Sequence, residues 1–151
     1  IYRSALKESE EEGSVLLDSD IFIASIKEEH GLKAFNEDIK GGREKNVKNA
    51  YALVANIQEI IFWLLNRNLR DKILLTVPRI FQSKNLEWIP LTREIFLTAS
   101  ALMEEYDLGT FDAYMAATAL SKDRIIVSSD HIYDKIKGIK CVSPEEIAKR
   151  L

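Results

Sequence analysis

The sequence predicts an α/β domain, a central parallel sheet of about five strands with helices on both faces. Short, nearly unbroken apolar runs recur along the chain, and strands buried on both faces read this way. Between them lie longer segments with helical spacing or helix-start signals, which supply the crossovers that parallel pairing requires. Two of the apolar runs end in aspartate, VLLD at 15–18 and IIVSSD at 125–130, and in open α/β sheets ligands bind beyond the carboxyl ends of strands.

Residues 1–13 (IYRSALKESEEEG) are charged and weakly patterned, a lead-in to a domain over 14–151. VLLD is the first strand. Ser19 or Asp20 can cap a helix to about Glu29, with Ile21, Phe22, Ile23 and Ile26 apolar and Gly31 as its stop. A second helix spans roughly 32–40 and breaks at Gly41-Gly42. AYALVAN at 50–56 is the second strand. A helix over 57–68 follows, with Ile57, Ile60, Ile61, Leu64 and Leu65 on one face. A further helical piece covers 70–83, bent by Pro78. LEWIPL at 86–91 is the third strand, and Pro90 points to a sheet edge. Thr92 caps a long helix to Tyr106, with Gly109 at its stop, and Thr110 caps the next, FDAYMAATAL. IIVSS at 125–129 and IKCV at 139–142 complete the strands. Ser143-Pro144-Glu145-Glu146 is a capping box opening a final helix to Leu151.

A chain of 151 residues fits one domain with an ordinary core. Its 46% apolar and 30% charged residues are those of a soluble globular protein. The longest apolar stretch, IIFWLL at 60–65, is too short to cross a bilayer, and the charged first residues are no signal peptide. A single cysteine, Cys141, excludes an internal disulfide and a cysteine-based zinc centre, and fits a reducing cytoplasm. Histidines 30 and 131 give little scope for a His-rich centre, and His131 reads as a loop residue. A net charge of −3 is no general argument for nucleic-acid binding. The basic clusters Lys40, Arg43, Lys45, Lys48 and Arg67, Arg70, Lys72 each read as a solvated face; beside an acidic site they could steer phosphates.

Four acids carry the chemistry. Asp18 and Asp130 end strands, Glu59 lies one turn into the apolar 57–68 helix, and Asp112 opens the alanine-rich helix. Carboxylates gathered without nearby Lys or Arg repel one another, and a hard divalent cation relieves this. The pattern therefore suggests a magnesium-dependent enzyme acting on phosphate. Taken singly, Glu59 reads as an exposed first-turn acid favoured by the helix dipole. Asp112 gains weight from Ala113, Ala116, Ala117 and Ala119, which let its helix pack closely on the sheet and pin its start near the strand ends. Asp20 can cap a helix, bind metal through water, or both. Ser128 and Ser129 read either as strand-end residues or as donors that orient the carboxylates. Cys141 reads as a buried small hydrophobe, and Trp63 and Trp88 as packing residues.

VLLDSDIFIA, QEIIFWL, FDAYMAATAL and IIVSSDHIYDKIKGIK together resemble the PIN-domain nucleases, among them the VapC-like toxin ribonucleases, from about Val15 to the end of the chain. The resemblance implies a three-layer α/β/α sandwich with strand order 3-2-1-4-5, which sets strands one and four side by side. It implies Asp18, Glu59, Asp112 and Asp130 as the catalytic and metal-binding quartet. Asp20 falls where the family usually has Asn, and Asp134 where some members carry a further acid. The implied activity is Mg²⁺- or Mn²⁺-dependent endoribonuclease cleavage of RNA, in a toxin paired with a protein antitoxin. The two-sided apolar content of the 57–68 helix, with Phe62 and Trp63, predicts a homodimer or antitoxin surface. Two rivals are open. One is a haloacid-dehalogenase-like phosphatase using Asp18 as nucleophile and Asp20 as acid, although Phe22 replaces the expected Thr. The other is a PIN-like binding module without catalysis.

Overall fold

The computed structural model describes residues 14–27, 50–82, 86–122 and 124–146. The lead-in, the helix expected over 32–40, the Gly41-Gly42 break, the cluster from Lys40 to Lys48, and His30 lie outside the described residues. The ends of the first and last predicted helices do so too.

The chain alternates strand and helix in the predicted order. β1 (Val15–Leu17) leads to α1 (Ser19–Ile26), and β2 (Ala50–Leu53) to α2 (Asn56–Asn66). A 3₁₀ turn (Arg70–Lys72) runs into α3 (Ile73–Phe81), which holds Pro78. β3 (Leu86–Ile89), α4 (Arg93–Tyr106), α5 (Thr110–Ser121), β4 (Ile125–Val127), a 3₁₀ helix (His131–Lys135) and β5 (Lys140–Val142) follow. The sheet is wholly parallel, in the order β3-β2-β1-β4-β5. Leu17 pairs with Ala52 on one side and Val127 on the other. β3 is an edge strand followed by Pro90, as that proline predicts.

Side-chain alternation divides the core in two. Val15, Leu17, Ala50, Ala52, Ile125 and Val127 face Ile57, Ile60 and Leu64 of α2 and Ile21 of α1. Leu16, Tyr51, Leu53 and Ile126 face Ile95, Ala99 and Leu102 of α4 and the alanines of α5. Both sheet faces are thus covered, which explains why the inner strands β1, β2 and β4 are apolar throughout rather than alternating with polar residues, while Glu87 and Lys140 sit on the edge strands. Trp63 and Trp88 pack at the margin of the first core, as expected of packing residues.

Several local boundaries differ. The third strand ends at Ile89 rather than Leu91, the 57–68 helix ends at Asn66, and the fifth strand starts at Lys140. Three further differences have a visible cause. The second strand stops at Leu53, because Ile57 N–H and Gln58 N–H donate to the carbonyls of Val54 and Ala55 and start α2 early. The fourth stops at Val127, where Ser128 turns its hydroxyl to carboxylates. Gly109 is not the stop of α4. Asp107 takes the left-handed conformation (φ 55°) directly after Tyr106, and Gly109 (φ −66°) is the N-cap of α5. Thr110 is accordingly the first helical residue rather than the cap. Thr92 caps α4 as predicted, its Oγ1 accepting Ile95 N–H at 3.2 Å.

Candidate active site

Asp18 leaves β1 at the point where the chain switches from one side of the sheet to the other, between β1 and β4. Its backbone N–H still donates to Val127, which holds it in the crevice. The residue is only 6% exposed. Three donors meet its carboxylate: Ser19 N–H on Oδ1 at 2.8 Å, and the hydroxyls of Ser128 (2.9 Å) and Tyr133 (3.1 Å) on Oδ2. Burial, and then the charge of Asp20, nonetheless push its pKa up to about 6.

The other acids reach this point from separate elements. Tyr133 also donates to Asp112 Oδ1 at 3.2 Å, so one hydroxyl bridges β1 and α5. Burial and then the charge of Asp130 raise the Asp112 pKa, while Tyr133 and Lys135 oppose the rise. Lys135 corrects the expectation of a cluster without a nearby cation. Glu59 stands on α2 and accepts the Ser19 hydroxyl at 3.1 Å. Burial, then Asp18, Asp112 and Asp20, push its pKa up to about 7. Glu59 is therefore partly buried and coupled to the other acids, not the solvated helix-start acid it resembles when taken singly.

Asp20 turns inward rather than acting only as a cap. Its Oδ2 accepts Ser129 N–H at 2.6 Å and lies 3.4 Å from Ser128 Oγ, while its Oδ1 is buried without a protein partner. Burial raises its pKa. Ser128 and Ser129 thus are donors to the carboxylates, the second of the two readings open for them. Asp130 is exposed; its Oδ1 caps the 3₁₀ helix by accepting Ile132 N–H at 3.0 Å, and its charge is felt by Asp112. Asp134 is exposed and pairs with His131 at 3.2 Å. Cys141 is half-buried, not fully so. Its thiol points to the carbonyls of Ser128 and Asp130, and burial followed by the charges of Asp134, Asp18, Asp20 and Asp130 pushes it up to about 12, leaving it unreactive.

Among the described residues no three His, Cys, Asp or Glu side chains stand close enough to grip one ion as they are. The donor chemistry still fits a hard divalent cation. The groups are all carboxylate oxygens. Burial raises the pKa values of Asp18, Asp20, Glu59 and Asp112, and neighbouring acids raise those of Asp18, Glu59 and Asp112 further. Asp20 Oδ1 is a buried acceptor with no hydrogen-bond partner among the described residues. Mg²⁺ needs only one or two direct carboxylates and keeps several waters. Tyr133 and Lys135 were not foreseen from the sequence. The one hint to Tyr133 was an aromatic three residues past a strand-ending aspartate.

A family model for the PIN domain matches residues 15–139. The chain belongs to the PIN-domain family. No curated protein matches the chain. Solved structures share the PIN fold at low identity. A toxin–antitoxin complex from Klebsiella pneumoniae superposes with a TM-score of 0.63 at 20% identity, covering 87% of this chain and 98% of that one. VapBC2 from Rickettsia felis, bound to a DNA fragment from its promoter, gives 0.68 at 14%, covering 86% and 98%. DNA-bound VapBC from Salmonella typhimurium gives 0.64 at 18%, covering 87% and 98%. At these identities the likeness establishes the fold of this PIN domain and leaves its chemistry to the side chains.

Proposed function

We propose that this PIN domain, over residues 14–151, is a divalent-metal endoribonuclease that hydrolyses RNA phosphodiesters. The observation that carries the reading is the Asp18–Tyr133–Asp112 bridge at the β1/β4 switch point, with Glu59 and Asp20 electrostatically coupled to it. Asp18, Glu59, Asp112 and Asp130 would hold Mg²⁺ or Mn²⁺, with Asp20 as a further acceptor and Asp134 at the rim. When bound, the metal supplies an activated water and neutralises charge on the phosphate and leaving oxygen.

The chain's own residues do the rest. Ser19, Ser128 and Ser129 fix the carboxylates so that their lone pairs are aimed before the substrate arrives. Lys135, felt by Asp112, is placed to attract a phosphate at the pocket's edge. The bridge also weighs against the phosphatase reading, which leaves Asp112 without a task.

The fold shared with toxin–antitoxin complexes supports a protein antitoxin as partner and the cytoplasm as location. No helix among the described residues is long and apolar enough to cross a membrane. Exposed Phe62 on α2 and Leu74 (86% exposed), Leu75 and Phe81 on α3 support self-association as a homodimer. Sedimentation of a monomer alone at high concentration would count against the dimer.

The decisive assay incubates single-stranded and structured RNA with wild type and Asp112→Asn. Cutting that requires Mg²⁺ or Mn²⁺ and disappears in the variant supports the nuclease. Equal cutting by both proteins refutes this site, and absence of cutting by an intact, metal-loaded wild type favours the binding module.

A further inference from the structure

Tyr133 is fully buried, with 0% exposure, and its single hydroxyl touches two of the acids at once. Its ring belongs to the core beneath α5, packed with Leu16, Ala113, Ala116 and Ile126, and a phenylalanine would fill that space equally. Packing therefore does not explain the oxygen. The 3₁₀ helix that carries it is fixed at both ends, by Asp130 Oδ1 on Ile132 N–H and by Ile136 N–H donating to the Tyr133 carbonyl. The hydroxyl has a single hydrogen, yet it lies at nearly equal distances from two carboxylates, 3.1 and 3.2 Å. Asp18 and Asp112 are 94 positions apart along the chain and sit on elements that share no other direct side-chain bond among those described. One phenol thus sets how far apart the two acids stand.

We propose that Tyr133 is the positioning residue of the metal site: its hydroxyl spans Asp18 and Asp112, keeps the two carboxylates facing one another, and so sets the affinity for the divalent cation. This rests on the nuclease reading only in taking these acids as the metal's ligands. Asp18 Oδ2 already accepts both Ser128 and Tyr133, so the lone pair left for the metal is on Asp18 Oδ1. That oxygen accepts Ser19 N–H and keeps a second lone pair, and the phenol can keep its bonds while the metal binds. Without the hydroxyl Asp112 is free to swing away from Asp18, which Ser19 and Ser128 still hold, and a cation must then draw it back at its own expense.

The test measures Mn²⁺ binding to the full chain by calorimetry, and by loss of the free-Mn²⁺ paramagnetic resonance signal. Tyr133→Phe is compared with wild type, and fold is checked by circular dichroism in chelator. The expected result is a fall in Mn²⁺ affinity of about 10- to 100-fold, as for other groups that orient metal ligands, with an unchanged spectrum. Binding within twofold of wild type overturns the proposal. If the variant does not fold, the protected Tyr133 hydroxyl proton of wild type is followed by NMR during Mg²⁺ titration. A shift that Asp18→Asn abolishes is expected, and an unmoved resonance overturns the proposal. A wild type that binds Mn²⁺ but cuts no RNA refutes the nuclease and leaves the Tyr133 comparison standing. A wild type that binds no Mn²⁺ refutes both.

Discussion

Asp18 and Asp130 follow adjacent, hydrogen-bonded strands, and both end runs of apolar residues, yet they occupy opposite environments. Asp18 is buried, takes three donors, and holds its proton to about pH 6. Asp130 lies three residues beyond Val127, at the surface, and one of its oxygens caps a helical turn. The difference is one of spacing: the first residue past the strand points into the crevice, and the third clears the rim. A strand-end aspartate is therefore not one kind of residue, and the two should contribute unequally.

Substitution of each breaks or sharpens this contrast. Asp18→Asn should have the largest effect, reducing metal-dependent RNA cleavage at least about 1,000-fold, since several kcal/mol of charge stabilisation depend on a bound metal. Steady-state cleavage rates measure it, and a loss of tenfold or less would put Asp18 outside the reaction. Asp130→Asn keeps a good capping residue, so its melting temperature should match wild type while cleavage falls about 10- to 100-fold, as for removal of one contributor to an electrostatic site. Equal losses at both positions would erase the distinction between the buried and the exposed acid.

Two smaller effects act on stability. Ser128→Ala removes the hydroxyl that donates to Asp18 and accepts Asp130 N–H at 3.0 Å, and should cost about 1–3 kcal/mol in denaturant melts. Asp18 and Glu59 bind protons more tightly folded than unfolded, so without metal their protonation stabilises the fold. That contribution is complete below about pH 4 and is lost as pH rises through about 6 for Asp18 and about 7 for Glu59. In chelator, these two groups should lower the melting temperature by several degrees between pH 4 and 7.5, and added Mg²⁺ should restore it at the upper end. A chelated protein whose stability rises across that window would contradict the burial of these acids.

Much of this arrangement was legible in the sequence, for identifiable reasons. The inner strands, buried on both faces, leave apolar runs with no polar interruptions. The edge strands, which carry Glu87 and Lys140, still stand out as short apolar-rich runs between helices, and the Thr92 cap was found too. Asp18 and Asp112 were placed because strand ends and helix starts fix backbone position to within a residue. Gly109 misled because the left-handed residue after α4 is Asp107, and an aspartate carries no unique mark of that conformation. Tyr133 and Lys135 escaped because a five-residue 3₁₀ helix is too short to show a hydrophobic period. The exposure of Asp130 and the inward turn of Asp20 depend on where Ser128 and Ser129 point, which no local pattern encodes.

The Ser128 hydroxyl reaches Asp18 across 110 positions of chain. A nascent polypeptide thus carries Asp18 well before it carries Asp112, Ser128 and Tyr133. Until Tyr133 has been added and its 3₁₀ helix has docked, the first acid is present without the hydroxyls that orient it, and the crevice is incomplete.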